Sequence, residues 1–587
     1  MIKRGAGKWG AVAGLAAIVL VVGFVRWPIP AERAAAGINA SFSGAAAVAL
    51  PSGATLRLFP WPSLRLFDLR LEFPAGGNLV AAPEAQLDLS LGDLIEGRLT
   101  PRRALLINPI VTLDVTGLSP NSSALRAART LAPLANLTLT DGVLRLIDKN
   151  RGIDAIIENL QGRIDGLDAN RPRANLGATW RDAPVQVSAS LSDGDAIAAG
   201  RPSPFAFQLT SPVASAVIAG ELAGGASPAL TGDVSLAIRS IAGLVRILRV
   251  EPPSFFAPDD VAISAKMKAD LDSVGFSDAT ITSGGQNAQG ALQADILNGR
   301  LAVSGTLDAE RLTVAPLFGA PIRAFDADGA WSGDPVALAI PRDFDVDLRL
   351  SAGQIDLYGA VLENAAVSAI LKDGALSLGV LDATVRGGRL QGDLRLACVG
   401  RNLEIGAKAK LADADIGAVL ADMGGSAPTG QGTAELAVST RGQSAAEAVA
   451  GLTGSAAFTW LGGAAPGVNL EEALRRSQRR PVDWMRELRP GETAFDRLVL
   501  ELAIKDGVAH VTRGELASPA LAASLEGAID LASRRLDLKV NAAQTSVAIG
   551  DGKDAARISL DIAGLWSSPT FKGTAPAKGD QKETDPP

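Results

Sequence analysis

Few residues in this sequence have the types and spacing to do covalent chemistry. His510 is the only histidine and Cys398 the only cysteine. A Ser-His-Asp relay would have to use His510, which follows Val508 on what reads as the apolar parity of a strand edge; that predicts a structural histidine, not a general base. Cys398, in "LACVG", sits in a strand run with no neighbour to stabilise a thiolate, so a buried, inert thiol is expected. One cysteine allows neither an intrachain disulfide nor a thiolate metal cluster. Asp343, Asp345 and Asp347 alternate along one strand face; such a ladder could hold a hard cation, but a solvated outer face is the simpler reading. No phosphate-binding Gly-x-x-x-x-Gly-Lys motif occurs, and no His-Glu-x-x-His is possible. Arg475, Arg476, Arg479 and Arg480 form the densest charge cluster, with Arg475/Arg479 and Arg476/Arg480 side by side at helical spacing. This is either a basic surface for anionic headgroups or an acidic partner, or a solvated helix face balanced by Glu471, Glu472 and Glu487. The expectation is a protein without catalytic residues, metal or cofactor.

The elements that carry these residues are strands. In "LAASLEGAIDLASRRLDLKV", residues 521–540, Leu521, Ala523, Leu525, Gly527 and Ile529 share one parity, while Ser524, Glu526 and Asp530 take the other. Period-two alternation marks a strand with one apolar face. It recurs in "DFDVDLRL" (343–350), at Leu403–Leu411 and at Leu498–Ile504. Short links such as "KDG" (372–374 and 505–507) and "RGG" (386–388) join the runs, which predicts an antiparallel meander. Glycine also recurs on the apolar parity: Gly220, Gly232, Gly305, Gly359, Gly392, Gly454 and Gly527 each stand between two apolar residues of their own face. Interior strand glycines mark curvature or close approach of another group. The series therefore predicts a long curved sheet with an apolar, partly open concave side. Gly220, Gly232, Gly305, Gly392, Leu525, Gly527 and Ile529 are its candidate groove residues; the alternative is that each glycine seats a covering helix or second sheet. Helical spacing is confined to a few short stretches, at 31–42, 122–135, 241–250, 413–423 and 469–480, the last with Asn469 as N-cap.

The chain has 587 residues, too many for one ordinary domain. It is 47% hydrophobic but only 4% aromatic, with a mean hydropathy of +0.20. Its net charge of −7 argues against a nucleic-acid partner. Trp9–Val25 carries no charge and follows Lys3, Arg4 and Lys8. It reads as a short transmembrane anchor with residues 1–8 in the cytoplasm and the bulk outside; a cleaved signal peptide ending near Ala34-Ala35-Ala36 is the rival. The expected organisation is an anchor at 9–25, β regions at 26–250 and 251–573, and a disordered polar tail at 574–587. Low aromatic content and the helical anchor exclude an outer-membrane barrel.

The ordered series of stretches resembles the AsmA family of Gram-negative envelope proteins. At the N-terminal side the series is "LFPWPSLRLFDLRLEF" (58–73), "LDLSLGDLIEGRL" (87–99), "LLINPIVTLDVTG" (105–117), "LTLTDGVLRLIDK" (137–149) and "IIENLQGRIDGL" (156–167). At the C-terminal side it is "LTGSAAFTWLGGAAPGVNLEEALRR" (452–476) and "FDRLVLELAIKDGVAHVTRGELASPALAASLEGAIDL" (495–531). The family pattern has an acidic residue beside the leucine in "PGVNL" (466–470), where this chain has Asn469. The resemblance implies an inner-membrane protein, single-pass with a cytoplasmic N-terminus, whose periplasmic β body forms an apolar groove for phospholipid acyl chains and supports outer-membrane assembly. A protein partner in the envelope is left open. The alternative is a structural or assembly factor whose apolar face is closed as a β-sandwich core.

Overall fold

Tight turns set the architecture. Asp373 and Gly374, Arg386 and Gly387, and Asp506 and Gly507 all have positive φ, between 48° and 81°. Turns of this hand match the twist of the flanking strands, so Lys372 pairs with Ala375, Val385 with Gly388 and Lys505 with Val508. The computed structural model describes residues 23–41, 47–72, 79–114, 134–149, 153–224, 228–248, 260–297, 300–315, 324–326, 330–335, 340, 342, 344–357, 360–400, 402–422, 427–479, 490–545 and 556–574. The fold is mainly β, 70% strand, in long meanders with a few short helices. Contacts divide the chain into two compact units: residues 1–251, 259–283 and 291–299, and residues 252–258, 284–290 and 300–587.

In the first unit the chain enters through the strand Trp27–Ile29, turns through the helix Ala31–Ser41 and then runs strand after strand. The helix lays Ala34, Ala35 and Ile38 over Leu64, Leu66, Ala85 and Leu139, all buried. Asn39 fixes its exit, its side-chain oxygen accepting from the Val48 amide at 2.7 Å. In the second unit the helix Leu470–Arg479 plays the same part. Asn469 caps it, accepting from the Glu472 amide at 2.9 Å, and Leu470, Ala473 and Leu474 are buried against Phe495, Leu521, Ile558 and Leu560. Burying a leucine such as Leu474 contributes roughly 1.5–3 kcal/mol. The helix Ile416–Asp422 adds Ile416 to the same core. A smaller cluster gathers Ala309, Ala352, Ile355, Leu362 and Ala365.

Two features depart from the antiparallel meander expected from the sequence. Arg300–Thr313 pairs in parallel with Phe344–Leu357, and Asn136–Asp148 pairs in parallel with both Pro101–Ile107 and Ile110–Asp114. Parallel neighbours need a long crossover to bring the chain back to the same end, and 314–343 and 115–135 supply that length. Three short helices were also not expected: Leu91–Ile95, Gly194–Ala198 and Ala445–Ala450. Each begins at a capping side chain, Ser90, Asp193 or Ser444. At the last, Ser444 accepts from the Glu447 amide at 3.2 Å while the Glu447 carboxylate accepts from the Gln443 amide at 2.8 Å, close to a capping box.

The anchor expected at 9–25 lies outside the described residues except for Gly23–Val25, as do the helix expected at 122–135, up to residue 133, and the tail beyond Thr574. Among the described residues no helix is long and apolar enough to cross a membrane.

Candidate functional site

The residues singled out for covalent or metal chemistry do not converge. His510 is exposed and stands between Ala503 and Ala528, on the face opposite Ala509. The expectation of an apolar-side histidine is corrected: the register puts Ala509 and Val511 on the apolar face. Cys398 is half-buried rather than buried, because it lies next to the exposed hairpin end at Val399. Asp343 lies outside the described residues; Asp345 is bound by Arg300 at 2.6 Å and Asp347 is exposed. Among the described residues no group of His, Cys, Asp or Glu is placed to hold a metal.

The basic cluster sits on the exposed face of the helix Leu470–Arg479. Arg475 reaches Glu471 at 3.0 Å and Arg476 reaches Glu472, both one turn back. Acid-before-base order suits the helix dipole, and such exposed pairs contribute only about 0.3–0.5 kcal/mol each. Arg479 is exposed, and Arg480 lies outside the described residues.

What the structure does assemble is apolar. Alternation along each strand leaves open how neighbouring strands line up; the register aligns them so that apolar residues stand opposite apolar residues from strand to strand. In the second unit Gly305, Leu348, Ala369, Leu378, Leu394, Ala407 and Val438 face one another in turn. The same row runs on through Gly454, Ile504, Ala509, Ile529 and Leu536 to Gly564. At about 4.8 Å per strand it follows the sheet for on the order of 55–60 Å. A second row beside it takes Leu350, Val367, Val380, Gly392, Ala409, Leu436, Ala456 and Leu502. The first unit has its own: Leu66, Ala85, Leu106, Leu139, Gly162, Leu176 and Val187, then Leu209, Ala216, Leu236, Ile263 and Ile281.

Parts of these rows are covered and parts are open. Leu66, Ala85, Leu106 and Leu139 belong to the packed core of the first unit, and in the second-unit rows Ala456, Ile504 and Ala509 are buried. Elsewhere in the second unit the cover thins. Leu348, Ala369, Leu394, Ala407 and Val438 are only half-buried, and Leu378 and Leu436 each keep 38% of their surface exposed. An in-register apolar strip with half-open stretches is a surface that apolar ligands can occupy.

Of the seven groove candidates, Gly305 and Ile529 share one row and Gly392 lies in the next. Gly220 and Gly232 stand directly opposite each other in the first unit. Leu525 and Gly527 pair with Val540 and Leu538. At three of these glycines the group that approaches closely is the neighbouring strand. A Cβ on Gly392 would lie 2.6 Å from the Lys408 carbonyl oxygen, and one on Gly220 would meet the Thr231 carbonyl oxygen. Gly527, at φ +122°, would drive a Cβ into the Asp537 carbonyl and to 2.9 Å from the Leu538 Cα. The neighbouring strand's own backbone excludes a side chain there. Gly220, Gly392 and Gly527 thus permit close strand packing.

The opposite parity is polar. A hollow of about 640 Å³ is lined by charged residues of this parity, Asp393, Lys408, Lys410, Glu435 and Glu501, and also by Gly392, Ala409, Leu436, Ala456 and Leu502 of the second row. Lys410 and Glu435 pair at 2.6 Å. Nearby, the Arg513 guanidinium holds the Glu515 carboxyl below its usual range.

Residues 321–513 match the AsmA family. The match takes in the stretch at 452–476 and part of that at 495–531, and begins beyond the N-terminal series at 58–167. No curated protein and no solved structure matches the chain.

Proposed function

An AsmA-family segment spans residues 321–513, and from that premise we propose that the protein is a non-enzymatic, inner-membrane-anchored envelope protein that takes phospholipid acyl chains onto its in-register apolar rows. The observation that carries this reading is the half-open stretch of the second unit, where Leu378 and Leu436 remain 38% exposed in the middle of a continuous apolar strip. Burial of acyl methylenes on such a strip contributes roughly 0.8 kcal/mol each, and one leaflet's chain length, about 15 Å or half the hydrocarbon core, spans only a few strands. The bulk lies in the periplasm, tethered through 9–25, with lipid homeostasis and outer-membrane assembly as the role. Mass spectrometry of lipids retained by the purified full chain tests it: stoichiometric phospholipid is expected, and a lipid-free protein that binds none on reconstitution overturns it.

A second reading is a structural or assembly factor with a closed core. The packed cluster around Leu474, Leu521 and Ile558 favours it over that part of the sheet. It predicts that the stretch around Leu378 is covered by protein in the membrane, so that probes there meet no lipid.

A further inference from the structure

We propose that one strand-end of the first unit is a bilayer-docking surface, built from Phe24, Trp27, Phe59, Trp61, Leu91 and Ile95. It goes beyond the acyl-chain reading and does not require it. Three separate segments converge there. The Gly23 carbonyl accepts from the Leu58 and Phe59 amides at 3.1 and 2.8 Å, and the Phe24 and Phe59 rings lie 6.2 Å apart. Trp27 pairs with Leu56 just before that turn. The Leu89 amide donates to the Pro62 carbonyl at 2.8 Å, which sets the helix Leu91–Ile95 beside the same turn.

Three of these side chains stand largely open to solvent. Trp61 is 74% exposed, Leu91 60% and Ile95 80%, and the short helix buries none of its residues. Leu91 and Ile95 are four apart and share a helix face. A cluster of large exposed apolar groups from three segments, with a polar rim, marks an interaction surface.

The occupant follows from chain order and charge. The uncharged stretch Trp9–Val25 runs directly into this cluster, so the apolar medium that accepts that stretch lies against Phe24 and its neighbours. Tryptophans at such a junction are the residues that settle at the headgroup level of a bilayer. Arg26, Arg102 and Arg103 are exposed at the same strand-end, where each can attract anionic headgroups. The nearby acids Asp93 and Glu96 are both held by Arg98, at 2.9 and 2.6 Å.

The test uses the full chain with Cys398→Ser and one new cysteine at a time: Trp61→Cys, Ile95→Cys or, as reference, Ile110→Cys. Ile110 is half-exposed and pairs with Ala81, at the far end of the strand Leu79–Leu89. Each is labelled with an environment-sensitive fluorophore and reconstituted into vesicles of phosphatidylethanolamine and phosphatidylglycerol. Spin-labelled acyl chains are expected to quench the probes at 61 and 95 several-fold more than at 110, and aqueous iodide to do the reverse. Iodide quenching at 61 and 95 equal to that at 110 overturns the proposal. So does protection from both quenchers, which would place protein there instead, or failure of the chain to float with the vesicles. Retained lipid on the apolar rows is measured separately, so loss of either property leaves the other standing.

Discussion

Gly527 and Leu538 face each other across a hairpin so closely that a Cβ on the glycine would sit 2.9 Å from the leucine Cα. The positive φ of Gly527 adds backbone strain for any other residue. Gly527→Ala is therefore expected to destabilise the second unit by about 1–3 kcal/mol, with Gly527→Leu worse. Gly406 is the control: a Cβ there meets nothing within 4 Å, so Gly406→Ala should be neutral or stabilising by up to about 1 kcal/mol. Urea melts of the three variants check this, and equal stability of Gly527→Ala and the parent would refute it. A bulky residue at Gly527 thus reports on strand packing and cannot distinguish an open groove from a closed core.

The crossover between the parallel strands is pinned far away in sequence. Trp331 donates its indole N–H to the Leu531 carbonyl at 2.8 Å and stacks on Phe325, with ring centres 4.7 Å apart. The Arg534 guanidinium lies 5.3 Å from the Phe325 ring and 5.1 Å from that of Trp566. Two cation–π contacts of about 0.5–1 kcal/mol each predict that Arg534→Ala costs roughly 1–2 kcal/mol, whereas Arg535→Ala, at an exposed neighbour, costs little. Chemical denaturation of both proteins decides it; similar losses would mean the guanidinium is not what holds the crossover.

Asp530 ends its strand by accepting from the Ser533 amide at 2.9 Å. The Ser533 hydroxyl first, then its amide, lower the carboxyl's pKa below the ordinary value. A depressed folded-state pKa means the contribution is fully present above the unfolded carboxylate pKa, about 3.9, and is lost as pH falls through the lower folded value. Asp530→Asn should therefore narrow the gap between melting temperatures at neutral pH and near pH ~3. An unchanged gap would show that this carboxylate does not contribute to acid sensitivity.

The strands were legible because period-two alternation is local. Leu521–Asp530 and Arg535–Gln544 follow the quoted stretch directly, and the hairpin turns announce themselves as Asp-Gly and Arg-Gly. Cross-strand register was not legible, because bulges reset it. Shifts between Val380 and Ala383, and between Glu501 and Leu502, are invisible in the alternation, and the second is followed by Val511 on the apolar face and His510 on the other. The glycine series was visible, but its cause, a neighbour's carbonyl, belongs to the pairing and not to the strand. The parallel crossover and the Trp331–Leu531 contact join residues 200 apart, beyond any local signal. The exposed apolar cluster left its trace in "LFPWP" (58–62), whose apolar residues break the polar habit of turns.

Leu378 and Leu474 separate the two readings of the apolar face. Leu474 is fully buried beneath its helix, and Leu474→Ala should cost about 2–5 kcal/mol by opening a cavity in the packed core. Leu378, between Ala369 and Leu394 in the open stretch, loses less cover on truncation, so Leu378→Ser should cost on the order of 1 kcal/mol. If acyl chains lie along the rows, that mild substitution, and Leu436→Asp three strands away in the adjacent row, should lower retained phospholipid by more than any stability loss explains. A photo-cross-linker at residue 378 should capture lipid in membranes, and one at Lys408, on the polar parity and exposed, should not. A closed sandwich reverses every term: Leu378→Ser then costs as much as Leu474→Ala, retained lipid is unchanged, and the adduct at 378 is protein.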